Sequence, residues 1–334
     1  MTGTGRAVLA GAALGLVASG ISAAQTVAAH WAPLLPAPGI LDLSGPRRHG
    51  SLTVAAAGRL FLFRPGGALE AFASGPGGYA TAPGPETYIA LARHRRVPGA
   101  GCAFRRDDVY ALEVTMPGVV VIDASGQARP FVALPAGIFP NGITFDQGGR
   151  FRHRLLVTAL IGDTTTVYAI DCRGRVSTVT EGAPRAEGGI AVAPGSFGRY
   201  ARQLIAPDEL GGGIVAIDAR GRASTIVMSG LATGGDIGVE SVGFVPARFG
   251  PRGAAFLADR GTPGNPHPGT DSILTLAGDA ILRAGVRSGD LLVATEGGAD
   301  TIVVRCRRTC TARRIADGPT VAHAEGHIVF ARGH

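Results

Sequence analysis

Short apolar runs punctuated by glycine and proline recur along the chain, a pattern that predicts an all-β protein with many tight turns. Five runs open alike, with a turn, then an acid or amide, then an apolar strand: residues 85–90 (PETYIA), 140–145 (PNGITF), 186–191 (AEGGIA), 239–244 (VESVGF) and 324–329 (AEGHIV). The marker positions Glu86, Asn141, Glu187 and Glu240 lie about 50 residues apart, and Glu325 follows after about two such intervals. Further strands follow each marker, most clearly 155–160, 166–171 and 176–180. The phrases VIDASG (121–126), AIDCRG (169–174) and AIDARG (216–221) repeat one strand-end turn. Four short strands per repeat are the signature of a propeller blade.

Segments 271–276, 280–282, 291–294 and 300–304 fill the long interval as one further blade, which brings the count to six. The strand after Glu325 ends the chain, whereas 51–55, 59–63 and 68–72 lack an inner strand, so joining the two closes the ring without an open edge. The expected architecture is an all-β, six-bladed β-propeller over 49–334 with N- and C-terminal strands closing one blade, preceded by an extended segment at 25–48.

Residues 1–24 read as an export signal: Arg6, an apolar stretch from Ala7 to Ile21, then Ser22-Ala23-Ala24 before Gln25. The expected location is secreted, extracellular or periplasmic, with no membrane attachment after cleavage. Four cysteines suit an oxidising compartment. Cys306 and Cys310 can staple one tight turn, which leaves Cys102 and Cys172 to pair across neighbouring blades. A metal reading is poorer, because one C-x3-C without a nearby histidine is not a zinc pattern.

The formal net charge of +7 is carried by arginine alone, since the chain has no lysine. These arginines are scattered as short pairs without interleaved aromatics, which argues against nucleic-acid binding. A small-molecule ligand or substrate and a monomeric state are the expectation. No nucleophile elbow, Walker loop, H-E-x-x-H or dinucleotide fingerprint is present.

In an antiparallel blade the start of the inner strand and the end of the second strand share one rim. That rim collects Glu86, Asn141, Glu187, Glu240, Glu325 and His323 from inner-strand starts, and Asp208, Asp259 and Glu296 from second-strand ends. Clustered carboxylates with an Asn carbonyl are hard oxygen ligands, so Glu86, Asn141, Glu187 and Glu240 are the candidate ligands of a divalent cation, Ca²⁺ first. Each of them alone also suits a structural turn. Asp259 and His267, the latter in the proline-rich loop 260–270, are candidates for proton transfer.

The phrase PNGITFDQGG at 140–149 resembles the P-N-G-hydrophobic-x-F-D-x-x-G phrase of the six-bladed superfamily that contains gluconolactonases, regucalcin and strictosidine-synthase-like proteins. The resemblance implies a divalent ion at the channel top, with Asn141 as its Asn ligand and Glu86 standing for the first-blade Glu. Glu187 and Glu240 depart from that family's succession of Asn and Asp. The activity so implied is a secreted, cation-dependent hydrolase of the lactonase type; the alternative is a non-catalytic propeller that binds a ligand or protein. A third pattern, the His-Glu pair of streptogramin lyases, has His323 and Glu325 as its local match. If the export reading holds, intact-mass measurement of the protein secreted from its native host gives a chain beginning at Gln25; a chain retaining residues 1–24 refutes it.

Overall fold

The computed structural model describes residues 1–2, 29–73 and 87–332. Glu86 and most of the expected export signal lie outside them. Four sheets are four-stranded and antiparallel. They comprise Ile40–Ser44, Leu52–Ala56, Arg59–Phe63 and Leu69–Ala73; Ile89–Leu91, Val109–Glu113, Gly118–Ile122 and Ala128–Ala133; Phe139–Phe145, Leu155–Ile161, Thr164–Ile170 and Val176–Ala183; and Ala191–Val192, Leu204–Pro207, Gly213–Ile217 and Ala223–Met228. A two-stranded hairpin, Arg95–Val97 with Cys102–Phe104, and a nine-stranded sheet take up the rest. The arrangement is all-β and propeller-like, and the α-helix among the described residues, Gly278–Arg283, is six residues long. None of the described helices is long and apolar enough to cross a membrane.

Burial follows strand position. The second strand Leu155–Ile161 is buried over its first five residues, whereas the fourth strand Val176–Ala183 is exposed along most of its length. Middle strands covered on both faces therefore read as continuous apolar runs, and outer strands as polar ones. Between sheets the apolar faces interlock. Phe145 stacks edge-on against Phe104 (4.9 Å) and Tyr110 (5.3 Å), beside the Cys102–Cys172 disulfide that ties the hairpin strand Cys102–Phe104 to the turn after Thr164–Ile170. A second disulfide, Cys306–Cys310, closes a hairpin turn.

The repeated I-D-x-x-G phrase has a direct physical role. Asp123, Asp171 and Asp218 each use Oδ1 to accept two turn N–H groups, for example Arg220 N at 2.8 Å and Arg222 N at 3.1 Å. The following glycine turns with positive φ against the outer strand of the preceding sheet. At Gly221 (φ +82°) a Cβ would lie 2.4 Å from Val179 O, so a side chain is excluded by both conformation and space.

The inner strands meet around the axis through side-chain clasps. Asp42 Oδ2 accepts Ile89 N at 2.8 Å and Oδ1 accepts His327 N at 2.8 Å, so one buried carboxylate ties together three inner strands. Its charge also holds the His327 imidazole above its ordinary pKa, against the opposing effect of burial. Gly189 comes so close to the neighbouring backbone that a Cβ would sit 2.1 Å from Gly326 O.

Chain closure differs from the sequence expectation in two respects. Strands 52–73 have their own inner strand, Ile40–Ser44, and the C-terminal strand Ala324–Arg332 pairs instead with Gly253–Asp259. The termini still meet in the nine-stranded sheet, where Ala32–Pro36 pairs with Ser272–Ala277 and Ala29–His30 runs parallel to Cys310–Asp317. Residues expected as an extended lead-in thus form three strands. Second, segments 271–304 do not form one unit: Ser272–Ala277 joins Gly253–Asp259, while Leu291–Thr295 and Thr301–Cys306 join Val239–Phe244. Apolar alternation marks a strand but not its partner. The expected strand 280–282 is instead helical, with Ile281 buried and Asp279 paired to Arg283 one turn later.

The Cys102–Cys172 bridge closes a 70-residue loop and Cys306–Cys310 a loop of 4. Replacing both cysteines of the longer loop by alanine is expected to cost about 2–4 kcal/mol in denaturant unfolding, more than the same change in the shorter loop.

Candidate functional site

One end of the inner strands is crowded with acids. Glu240 lies in Val239–Phe244, Glu325 in Ala324–Arg332 and Asn141 in Phe139–Phe145, all buried, and Glu187 just precedes Ala191–Val192. Asp259 ends Gly253–Asp259, and Glu296 and Glu209 follow Leu291–Thr295 and Leu204–Pro207. The shared rim expected from antiparallel pairing is therefore present.

His323 sits at its centre, 1% exposed, with Nε2 at 2.7 Å from Glu296 Oε1 and 3.5 Å from Glu325 Oε1. Burial alone would lower its pKa, but the hydrogen bonds and charges of the two glutamates outweigh it and raise the imidazole to about 10. Glu325 receives Arg260 Nη1 at 2.9 Å and the Tyr88 hydroxyl at 2.7 Å; burial opposes ionisation, yet His323, Arg260 and Tyr88 together hold it ionised below its ordinary range. The same hydroxyl lies 2.8 Å from Glu240 Oε1, so its single proton is shared between two acids and serves one of them at a time.

Glu209 behaves oppositely. Burial first, then its hydrogen bond to Glu296 and the charges of Glu296 and Glu187, push it up to about 9, so it holds a proton at neutral pH. Glu187 is raised by burial too, although Arg185 at 2.6 Å opposes the shift. Asp236, Glu296 and His323 bring one ligand atom each to within 4.8 Å of one another.

Of the residues expected from sequence, Asn141 and Glu240 flank Glu187: Gly188 N bonds Asn141 O at 3.1 Å and Gly189 N bonds Glu240 O at 3.0 Å. Asn141 Nδ2 donates to Ala186 O at 2.8 Å, while its buried Oδ1 has no hydrogen-bond partner among the described residues. Asp259 is fully buried with both oxygens engaged, Oδ1 by His323 N at 2.8 Å and Oδ2 by Thr270 N at 3.1 Å and its hydroxyl. It positions the His323 backbone and the 260–270 loop. His267 rests its Nδ1 on Thr320 O at 2.8 Å and packs over Gly297, beside Glu296. Asp208 caps a turn by accepting Gly211 N at 3.0 Å. Glu86 lies outside the described residues. Glu209 and Asp236 were not foreseen. The signal for Glu209 was its place one residue beyond Asp208, at the end of the same second strand.

No protein-family model matches the sequence, and no curated protein does. Among solved structures the neighbours include a catalytically inactive virginiamycin B lyase from Staphylococcus aureus with quinupristin (14% identity, 88% of this chain and 77% of that one, TM-score 0.49). They also include regucalcin, a calcium-binding protein from Agrobacterium tumefaciens (13%, 89% and 81%, TM-score 0.49), and a provisionally assigned gluconolactonase (12%, 87% and 94%, TM-score 0.42). These neighbours are propeller-type proteins. Their low identity transfers no residue and no reaction to this chain.

Two protons held in the folded site set a pH dependence. The stability linked to Glu209 is fully present below its ordinary pKa of 4.5 and lost as pH rises toward about 9. That linked to His323 is fully present below 6.5 and lost toward about 10. The melting temperature is expected to fall between pH 6.5 and 10, and Glu209→Gln to flatten the part of that fall due to its proton; a wild-type melting temperature constant over this range contradicts the assignment.

Proposed function

We propose that the protein is an exported six-bladed propeller that hydrolyses a small lactone-type ester at its acidic mouth with the help of a divalent cation. The blade count takes the nine-stranded sheet as two blades, which meet at the single parallel pair Val242–His327. The two disulfides support an oxidising location.

The observation that carries the reading is the convergence of Asp236, Glu296 and His323 beside protonated Glu209 and ionised Glu325. Two carboxylate oxygens and an imidazole nitrogen are a fitting donor set for a divalent ion. The nitrogen favours Mn²⁺ or Zn²⁺ over Ca²⁺, which takes six to eight oxygens. When bound, such an ion supplies Lewis acidity toward a carbonyl and acidifies a water. Glu209, pushed up to about 9 chiefly by burial, carries a proton at neutral pH and is suited to protonate a departing alkoxide. Glu325, clamped by Arg260 and Tyr88, fixes one side of the imidazole, and Asp259 fixes its backbone. His267, on the loop over Gly297, helps cover the mouth.

A non-catalytic, ligand-binding propeller is the second reading. It is favoured by the Arg185–Glu187 and Arg260–Glu325 pairs, which neutralise two of the acids without any ion. One experiment separates the two. Metal-free protein titrated with Mn²⁺, Zn²⁺ or Ca²⁺ is expected to gain thermal stability, to release the His323 proton on binding, and to hydrolyse aldonolactones or acyl lactones only when loaded. His323→Ala is expected to abolish all three effects. Absence of both the stability gain and hydrolysis sinks the enzyme reading; a stability gain without hydrolysis leaves the binding one.

A further inference from the structure

The inner strands that begin at the acids end, about 20 Å away, at a basic cavity. Glu325 opens the strand that closes on Phe330 and Arg332; Glu240 opens the one that leads to Pro246 and Arg248; Tyr88 precedes the one that leads to Arg93. The cavity, about 960 Å³, is lined by Arg93, Arg248, Arg252 and Arg332, and no acid lines it among the described residues. None of these four side chains makes an ion pair or hydrogen bond with the described residues. This contrasts with Arg260, Arg305 and Arg314, each held by a carboxylate. Desolvation first, then the positive charges of Arg95 and Arg106, hold Arg93 below its ordinary pKa.

Apolar groups share the wall with these arginines. Phe249 and Phe330 pack edge-to-face at 5.3 Å, and Pro46 and Pro246 flank them. A second cavity of about 230 Å³ shares Pro46, Arg93, Pro246 and Phe330 with the first and extends up the axis. There its lining includes Ser44, Thr144, Gln147 and His327, while Ile89, Ile143 and Val242 are buried in the packing between sheets. A cluster of arginines beside the apolar surface of Phe249, Phe330, Pro46 and Pro246 matches a molecule with an anionic end and an apolar body.

We propose that this end of the channel binds an amphipathic oxyanion, with a carboxylate or phosphate head on the arginines and a short alkyl or aryl body packed against Phe249, Phe330 and the flanking prolines. Guanidinium groups suit both heads, because their N–H forks match paired oxygens. The mouth of opposite charge plays no part in this site, so the proposal stands apart from the cation-dependent reaction.

Isothermal titration of the full-length protein with octyl phosphate and octanoate tests it, with inorganic phosphate and neutral octyl glucoside as controls. One equivalent of each amphipathic anion is expected to bind, at least about tenfold more tightly than either control, and more weakly as salt is raised. Arg248→Ala/Arg252→Ala, at exposed turn positions, should weaken binding about tenfold or more while leaving the melting temperature and Mn²⁺ binding at the acidic mouth unchanged. Phe249→Ala should weaken the octyl compounds and leave inorganic phosphate unaffected. Equal binding of inorganic and octyl phosphate, no binding of any probe, indifference to the double substitution, or preference for phosphatidylglycerol vesicles or an oligonucleotide over the octyl anions would each overturn the proposal.

Discussion

Carboxylates taken out of water beside one another cannot all keep their charge, and this protein places such carboxylates at the centre of its sheets. The inner strands lie beside neighbours with which they share little ladder pairing, so side chains take over their edge N–H groups. Asp42 does this for two sheets at once, and Asp259 does it for the His323 backbone. The acids are kept by three means: ion pairing, as in Glu325 with Arg260; a shared hydroxyl, as in Tyr88 between Glu240 and Glu325; and protonation, as in Glu209. The site is a by-product of closing the sheets together, and its chemistry follows from which means each acid uses.

The polarity of the molecule follows from the same strands. A protein with net charge +7 gathers its acids at one end of the axis and leaves uncompensated arginines at the other. Between the two ends lie the inner strands with the Asp42–His327 pair among them, so the two fields are held apart by the length of those strands.

Much of the fold was legible because its units repeat. The turn phrase ending in Gly126, Gly174 and Gly221 encodes an Asp-capped turn pressed against the preceding sheet, and its chemistry is local. The rim position of Glu240, Glu296, Glu325 and His323 was legible for a similar reason, since antiparallel pairing fixes which strand ends coincide. What could not be read was partnership. The run 272–277 looks the same whether it pairs with Gly253–Asp259 or with a later strand, and Ile281-Leu282 reads as strand or as helix from its apolarity alone. Nor does spacing reveal that Asp259 would be fully occupied within the fold while Glu209 faces the cluster. That difference is a matter of one residue at a strand end, where the chain turns.

The path of the chain through the nine-stranded sheet has a further consequence. After Val239–Phe244 it crosses to make Gly253–Asp259 and Ser272–Ala277, returns to complete the first group through Cys310–Asp317, and crosses again as Ala324–Arg332, while the N-terminal strands border both groups. Neither group can be completed until the other is under way, and both wait on contacts more than two hundred residues apart. Each of the four-stranded sheets is drawn from one continuous stretch of chain and can form by itself, whereas these two assemble as a single indivisible piece.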